Sequence, residues 1–211
     1  MLPADQRLGS TNDETVKLDD RPRPARFPMI DAREPRLWRQ LPWRAMDEPP
    51  VIRDARAEDW DAIWPFFREI VGAGETYAYE PRMGHAEGRA LWMVGSPART
   101  VVATTPDGNV VGTANMYANR PGPGAHVASA SFMVDPQHAG HGTGRALGEH
   151  VIQWAAKSGF RAIQFNAVVE TNDHAVRLWR SLGFKIVGRV PEAFAHPVHG
   201  YVALLVMHRF V

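Results

Sequence analysis

The sequence predicts an α/β fold, a mixed sheet flanked by helices, and three observations lead there. From Val51 onward, apolar residues recur alternately at period two and at period 3.6. A Pro106-Asp107-Gly108-Asn109 turn joins two β-rich runs, the mark of an antiparallel hairpin. Further on, an apolar strand passes through alternate glycines into an amphipathic helix, which is how α/β units connect.

Taken in order, Val51 to Ala55 reads as a short strand. Asp59 is the expected N-cap of a helix burying Trp60, Ile63, Phe67, Ile70 and Val71, with Pro65 expected to kink it or shift its start. Gly72-Ala73-Gly74 ends that helix, and Ala86 to Val94 forms a second, shorter one. The hairpin strands are Thr100 to Thr104 and Val110 to Tyr117. A loop rich in proline and glycine leads to a strand over His126 to Val134. Gly142 to Ser158 is helical, with Leu147, Val151, Trp154 and Ala155 on one face. A strand over Ala162 to Val169 precedes a helix over His174 to Leu182, which buries Ala175, Leu178, Trp179 and Leu182. Strands Phe184 to Val190 and Tyr201 to Phe210 close the chain.

Residues 1–50 differ in kind. Seven prolines from Pro22 to Pro50 are interleaved with seven arginines from Arg21 to Arg44, and acids are interspersed. Little recurs there at either period, so the segment reads as an extended N-terminal lead before a domain over 51–211. Leu37-Trp38 and Leu41-Pro42-Trp43 are its sticky spots, expected to dock on the domain or on a second copy, which makes a homodimer an expectation. Met46 is an alternative start, since organised sequence begins just after it.

Composition narrows the function classes. A net charge of +1 over 211 residues gives no field for nucleic acid or an acidic membrane surface. No apolar run approaches the length of a membrane span, and the N-terminus lacks a signal peptide's apolar stretch, so the expected location is cytoplasmic. With no cysteine, disulfides, thiolate metal sites and a cysteine nucleophile are excluded. His196-Pro197-Val198-His199 offers only two histidines around a proline, and no metal is expected; that loop is expected to cover the substrate end of a cleft.

The strongest chemical signal is Val134-Asp135-Pro136-Gln137-His138-Ala139-Gly140-His141-Gly142-Thr143-Gly144-Arg145. Glycines let a ligand approach the backbone closely, and the first N–H groups of the following helix have no intrahelical acceptor. Together they attract phosphate or diphosphate. The spacing fits neither a Walker loop, which needs Gly-Lys-Ser/Thr, nor a Rossmann fingerprint, whose last glycine is here Arg145 or Leu147.

This stretch resembles the acetyl-CoA diphosphate loop of the GNAT acetyltransferase superfamily, Gln/Arg-x-x-Gly-x-Gly/Ala. Aligned on Val134-Asp135-Pro136, the Gln/Arg position falls on Ala139, a departure, and the glycines on Gly142 and Gly144; the letters also fit Gln137, Gly140 and Gly142, out of register with the strand. Asn172-Asp173-His174-Ala175-Val176-Arg177-Leu178-Trp179, ending at Gly183-Phe184, is similar to the family's Asn-x-x-Ala-x-x-Leu-Tyr-x-x-x-Gly-Phe. The resemblance covers roughly Val51 to Phe210. It implies the GNAT fold, with a mostly antiparallel sheet of about six to seven strands and four helices, and acetyl-CoA as co-substrate. By the same resemblance Met133, Val134, Ala139, Gly140, His141, Gly142, Thr143, Gly144 and Arg145 hold the co-substrate, as does Asn172, which also reads as a helix cap. Trp179 stands where the family has a tyrosine acid, and reads instead as a core aromatic.

Glu75-Thr76-Tyr77-Ala78-Tyr79-Glu80-Pro81 looks like the substrate loop of phosphinothricin-type enzymes. Phe165 to Asn172 is similar to the paired-asparagine segment of proline-analogue acetyltransferases. The implied acceptor is the amine of a small molecule, an amino acid or analogue, with Tyr77, Ser129 and Asn166 near it. Family chemistry is direct attack on the thioester, so a base must take the ammonium proton. The candidates are Glu75, then His126, then Glu170; alternation along the strand sets Glu170 on the face of Asn166. An N–H at Met133 or Val134 is expected to meet the developing oxyanion. Two other readings stay open: a protein or peptide N-acetyltransferase, and a non-catalytic acyl-CoA sensor.

Overall fold

The computed structural model describes residues 49–211. The proline- and arginine-rich lead, its docking residues Leu37, Trp38, Leu41 and Trp43, and the alternative start at Met46 lie outside the described residues.

The elements are β1 (Val51–Asp54), α1 (Asp59–Ala73), α2 (His85–Trp92), β2 (Arg99–Thr104), β3 (Val110–Ala118), β4 (Val127–Val134), α3 (Thr143–Lys157), β5 (Ala162–Val169), α4 (Asp173–Ser181), β6 (Lys185–His196) and β7 (Gly200–Phe210). The seven strands form one sheet in the order β1-β2-β3-β4-β5-β7-β6. Every neighbouring pair is antiparallel except β4 and β5. Strand β4, helix α3 and strand β5 are the one parallel crossover, the unit announced by the glycine-rich turn.

Strand alternation divides the core between two faces. Val101 and Ala103 join Leu147, Val151 and Trp179 under α3 and α4. Val102, between them, joins Trp60, Ile63, Phe67 and Trp92 under α1 and α2. The buried indole of Trp92 donates to Thr113 Oγ1 at 3.0 Å, and that hydroxyl donates to the Val101 carbonyl at 2.8 Å, so burial leaves neither unpaired.

Several expectations are corrected. Asp59 is not the cap of α1 but its first residue. Its carboxylate turns back to accept two bonds from Arg53, at 2.7 and 2.8 Å, and one from the Arg56 N–H at 2.6 Å. Pro65 does not shift the start of α1, and the helix runs on through it. The proline removes one main-chain donor from a helix whose inner face, including the unpredicted Phe66, is otherwise fully buried; Ile70 is only half-buried. In α4 the buried residues are Val176 and Trp179, while Ala175 and Leu178 sit at the margin. Strand β6 runs six residues beyond Val190, because bulges let a longer strand follow β7.

What positions the site is a parting of strands. Strand β4 is paired with β3 over Ala118↔Ala128 to Gly112↔Val134, yet it pairs with β5 only at Val127↔Ala162 and Ala128↔Ile163. Beyond those residues β4 and β5 diverge. Rings from both strands and from α4 fill the space on one face: Phe132 lies 5.6 Å from Phe165 and 4.6 Å from Trp179.

Candidate active site

The divergence leaves one edge of β4 without a strand partner. In a strand, a residue's N–H and C=O point to the same edge, and successive residues alternate. The Asp135 N–H donates to the Val111 carbonyl, toward β3. Val134 and Phe132 therefore offer their main-chain groups to the gap, and Met133 faces β3. Of the two N–H groups expected to meet the oxyanion, that of Val134 faces the gap and that of Met133 is turned into the sheet. The groups of Phe132 are met by one phenol: Tyr77 Oη lies 2.5 Å from the Phe132 oxygen and 3.1 Å from its nitrogen.

At the end of β4 the chain enters the glycine-rich loop. Asp135 fixes the entry, accepting from the Gln137 N–H at 2.9 Å and pairing with His138 Nδ1 at 3.0 Å. The Ala139 N–H is already given to the Pro136 carbonyl, so Ala139 offers no donor. The first main-chain bond of α3 is from the Ala146 N–H to the Gly142 carbonyl, which leaves the N–H groups of residues 140–145 with no main-chain acceptor among the described residues. Gly140 and Gly142 have φ of +84° and +80°, with open space where a side chain would stand. Thr143 is buried, with its Cγ2 turned toward Gly112. The guanidinium of Arg145 turns away, donating to Ser181 Oγ at 2.7 Å and pairing with Glu149. The helix is pressed close to the sheet: a Cβ on Gly112 would meet Thr143 Cγ2 at 2.8 Å. These N–H groups at a helix start, beside a strand edge left open among the described residues, fit a diphosphate followed by an extended amide-bearing arm, which is the shape of acetyl-CoA.

Asn172 caps α4, its Oδ1 accepting from the Ala175 N–H at 3.1 Å, and it also lines the gap. The gap opens into a cavity of about 600 Å³. Among the predicted residues, Glu75, Tyr77, Ser129, Met133, Val134, Asn166 and Asn172 line it. His126 and Glu170 do not. His126 Nδ1 lies 3.0 Å from the Pro123 carbonyl, at the end of β4 where the strands are still together. Glu170 accepts two bonds from Arg189, at 2.7 and 2.8 Å, and that hydrogen-bonded guanidinium holds its carboxyl below the usual range. The expected shared face of Asn166 and Glu170 is also lost, because a bulge between Phe165 and Val168 interrupts the alternation. Asn166 is exposed; it donates to Asn119 Oδ1 at 2.6 Å and accepts from Gln164 Nε2 at 2.8 Å.

The cavity also contains Tyr79 of the expected substrate loop, and residues that sequence reasoning passed over: Glu69, Tyr117, Ser131 and Phe194. Tyr79 stacks on Tyr77 with ring centres 5.1 Å apart. Tyr117 sits opposite Ser129 in the β3–β4 register, a relation that only the pairing of strands reveals. Burial pushes the phenols of Tyr77 and Tyr79 up, so both remain protonated donors. The loop over His196–His199, expected to cover the cleft, is a tight turn between β6 and β7, and His196 Nδ1 accepts from the Val198 and His199 N–H groups. From that hairpin Phe194 and Leu204 reach the cavity instead. Among the described residues no three His, Asp or Glu side chains group as a metal site, and no helix is long and apolar enough to cross a membrane.

This geometry agrees with what the chain is similar to. Residues 38–184 match the Acetyltransferase (GNAT) family. The chain belongs to that family. A GCN5-related N-acetyltransferase from Kribbella flavida is 62% identical, with a TM-score of 0.75 over 77% of this chain and 98% of that one. A phosphinothricin acetyltransferase from Sinorhizobium meliloti, solved with acetyl-CoA, is 26% identical, with a TM-score of 0.70 over 78% of this chain and 89% of that one. The N-acetyltransferase aca1 of Schizosaccharomyces pombe is 25% identical over 76% of this chain and 88% of its own length. The GNAT protein described here is an acetyl-CoA-dependent N-acetyltransferase, and its seven-stranded sheet with four helices is the GNAT fold.

Proposed function

We propose that this acetyltransferase acetylates the amine of a small molecule of amino-acid type, with Glu75 as the base. One observation carries the reading: the open edge of β4 runs directly into a cavity walled by aromatic rings and hydroxyls, with the exposed Glu75 in its lining. Bound acetyl-CoA supplies the thioester carbonyl. Glu75 takes a proton from the ammonium, directly or through one water, and frees the lone pair. The new N–C bond forms as the C–S bond breaks; CoA leaves as a thiolate, which at its ordinary acidity needs no strong acid to assist it, and the nitrogen sheds its second proton to that thiolate or to solvent, leaving a neutral amide. The absence of a phenol at Trp179 is therefore no obstacle. The Val134 N–H is the donor for the oxygen that gains charge.

The N–H groups of residues 140–145 are assigned to the diphosphate, and Asn172 to the arm that follows it. Tyr77, Ser129 and Asn166 are assigned to the acceptor. His126 and Glu170 drop out of the catalytic set, the first for its distance from the cavity and the second for its bond to Arg189. A cytoplasmic location and a homodimer belong to the same proposal. Its test is thiol release from acetyl-CoA across a panel of small amines and peptides. Turnover on small amines is the expected result. Turnover on peptides alone would move the function to a polypeptide acceptor, and tight acetyl-CoA binding with no turnover would make the protein a sensor.

A further inference from the structure

The charges around the cavity select among amines. Among the described residues that line it, only Glu69 and Glu75 carry charge; no arginine, lysine or histidine is among them. Two guanidinium groups outside the lining are already engaged, Arg189 with Glu170 and Arg145 with Ser181 and Glu149. Both glutamates are exposed, so they stand on the solvent side of the lining. Behind them the walls are neutral: the stacked rings of Tyr77 and Tyr79, Tyr117, Phe194, and the hydroxyls of Ser129 and Ser131. Burial keeps the Tyr77 and Tyr79 phenols neutral as well.

We propose that the acceptor is a small cationic amine whose carboxyl group is absent or masked as an amide or ester, not a free zwitterionic amino acid. This refines the acetyl-transfer reading above and rests on it. An ammonium is drawn toward two carboxylates and settles against tyrosine faces, which attract cations. A free carboxylate entering the same space meets two like charges and no cation among the described residues, and neutral donors do not compensate a buried anion as a guanidinium does. An amide carbonyl, by contrast, is well matched to serine hydroxyls, phenols and the Asn166 amide. The amino-acid scaffold remains acceptable; its ionised carboxylate does not.

The test uses the full chain, residues 1–48 included, and matched acceptors: phenylalanine, phenylalaninamide, phenethylamine and a short peptide with N-terminal phenylalanine. The expected result is a kcat/KM for the amide and the plain amine roughly 100-fold above that of the free acid, as like-charge exclusion allows, with most of the difference in KM. Glu69→Gln, outside the proposed catalytic set, should narrow that ratio by raising turnover of the free acid. Added salt should narrow it too, because the discrimination is electrostatic. Free phenylalanine acetylated as well as its amide overturns the charge argument while leaving small-amine acetylation standing. Acetylation of the peptide with neither small amine accepted overturns both.

Discussion

The hydroxyl of Tyr77 donates to the carbonyl oxygen of Phe132 at 2.5 Å and accepts from its N–H at 3.1 Å. One side chain from the loop after α1 thus occupies both main-chain groups of a residue at the open edge of β4. An arm bearing amides and laid along that edge competes for the same two groups. Tyr77→Phe should therefore lower the stability of the free protein by about 1–2 kcal/mol, since two part-buried main-chain groups lose their partner. Acetyl-CoA should restore most of that loss. The check is thermal denaturation of both proteins with and without saturating acetyl-CoA: a shift no larger in the variant than in the parent would show that the arm does not use those groups.

Two glycines of the loop should behave differently. Gly142 has φ of +80° with open space around it, so Gly142→Ala strains the backbone and puts a methyl group where the diphosphate is assigned. The expected result is a KM for acetyl-CoA raised on the order of tenfold with kcat nearly unchanged. Gly144 instead lies under Leu178 Cδ2, which a Cβ would meet at 3.3 Å. Gly144→Ala should perturb the packing of α3 on α4, lowering Tm more than co-substrate affinity. Saturation kinetics and melting curves of both variants separate these effects, and the reverse pattern would move the diphosphate away from Gly142.

Asp59 gives a prediction about pH. Its hydrogen bonds from Arg53 and the Arg56 N–H hold its carboxyl below the usual value, against burial, which pushes the other way. A carboxyl depressed in the folded state stabilises the fold above its unfolded pKa of about 3.9, and that contribution disappears as pH falls through the folded value. Asp59→Asn should cost roughly 1–2 kcal/mol near neutral pH, a figure reduced because the Arg53 side chain is 34% exposed. Urea unfolding of parent and variant should converge as the solution is taken well below that unfolded pKa. A gap that stays constant with pH would assign the loss to packing rather than to the ion pair.

How much of this was legible in the sequence depended on the range of the interaction. Elements set by local period and turn chemistry, such as the hairpin around Asp107-Gly108 and helix α3 after its glycines, follow from neighbours along the chain. Asp59 was misassigned because the pull of Arg53 and the Arg56 N–H on its carboxylate reaches back before the helix, where a capping pattern does not look. The shared face of Asn166 and Glu170 failed at a bulge, which strand alternation cannot foresee. Tyr117 beside Ser129 and Arg189 on Glu170 are cross-strand relations, invisible until register is known. The co-substrate loop was readable because its chemistry is main-chain N–H groups at a helix start. The acceptor cavity was not, because six separate stretches of the chain build it.

That difference bears on the choice of base, where two glutamates of similar standing in the sequence have different surroundings. Glu75 lines the acceptor cavity. Glu170 lies outside it and is bound by the Arg189 guanidinium, which stabilises the carboxylate and weakens it as a proton acceptor. Glu75→Gln keeps the shape and removes the basicity, so kcat should fall by about 100-fold, within the range for loss of a general base. Acetyl-CoA affinity should be unchanged, because the diphosphate is assigned to residues 140–145. Glu170→Gln should leave kcat near that of the parent. Steady-state rates and acetyl-CoA calorimetry on the two variants decide the matter. A large rate loss at Glu170 with none at Glu75 would mean that the proton leaves on the β5–β6 side, and the base would have to be sought around Arg189.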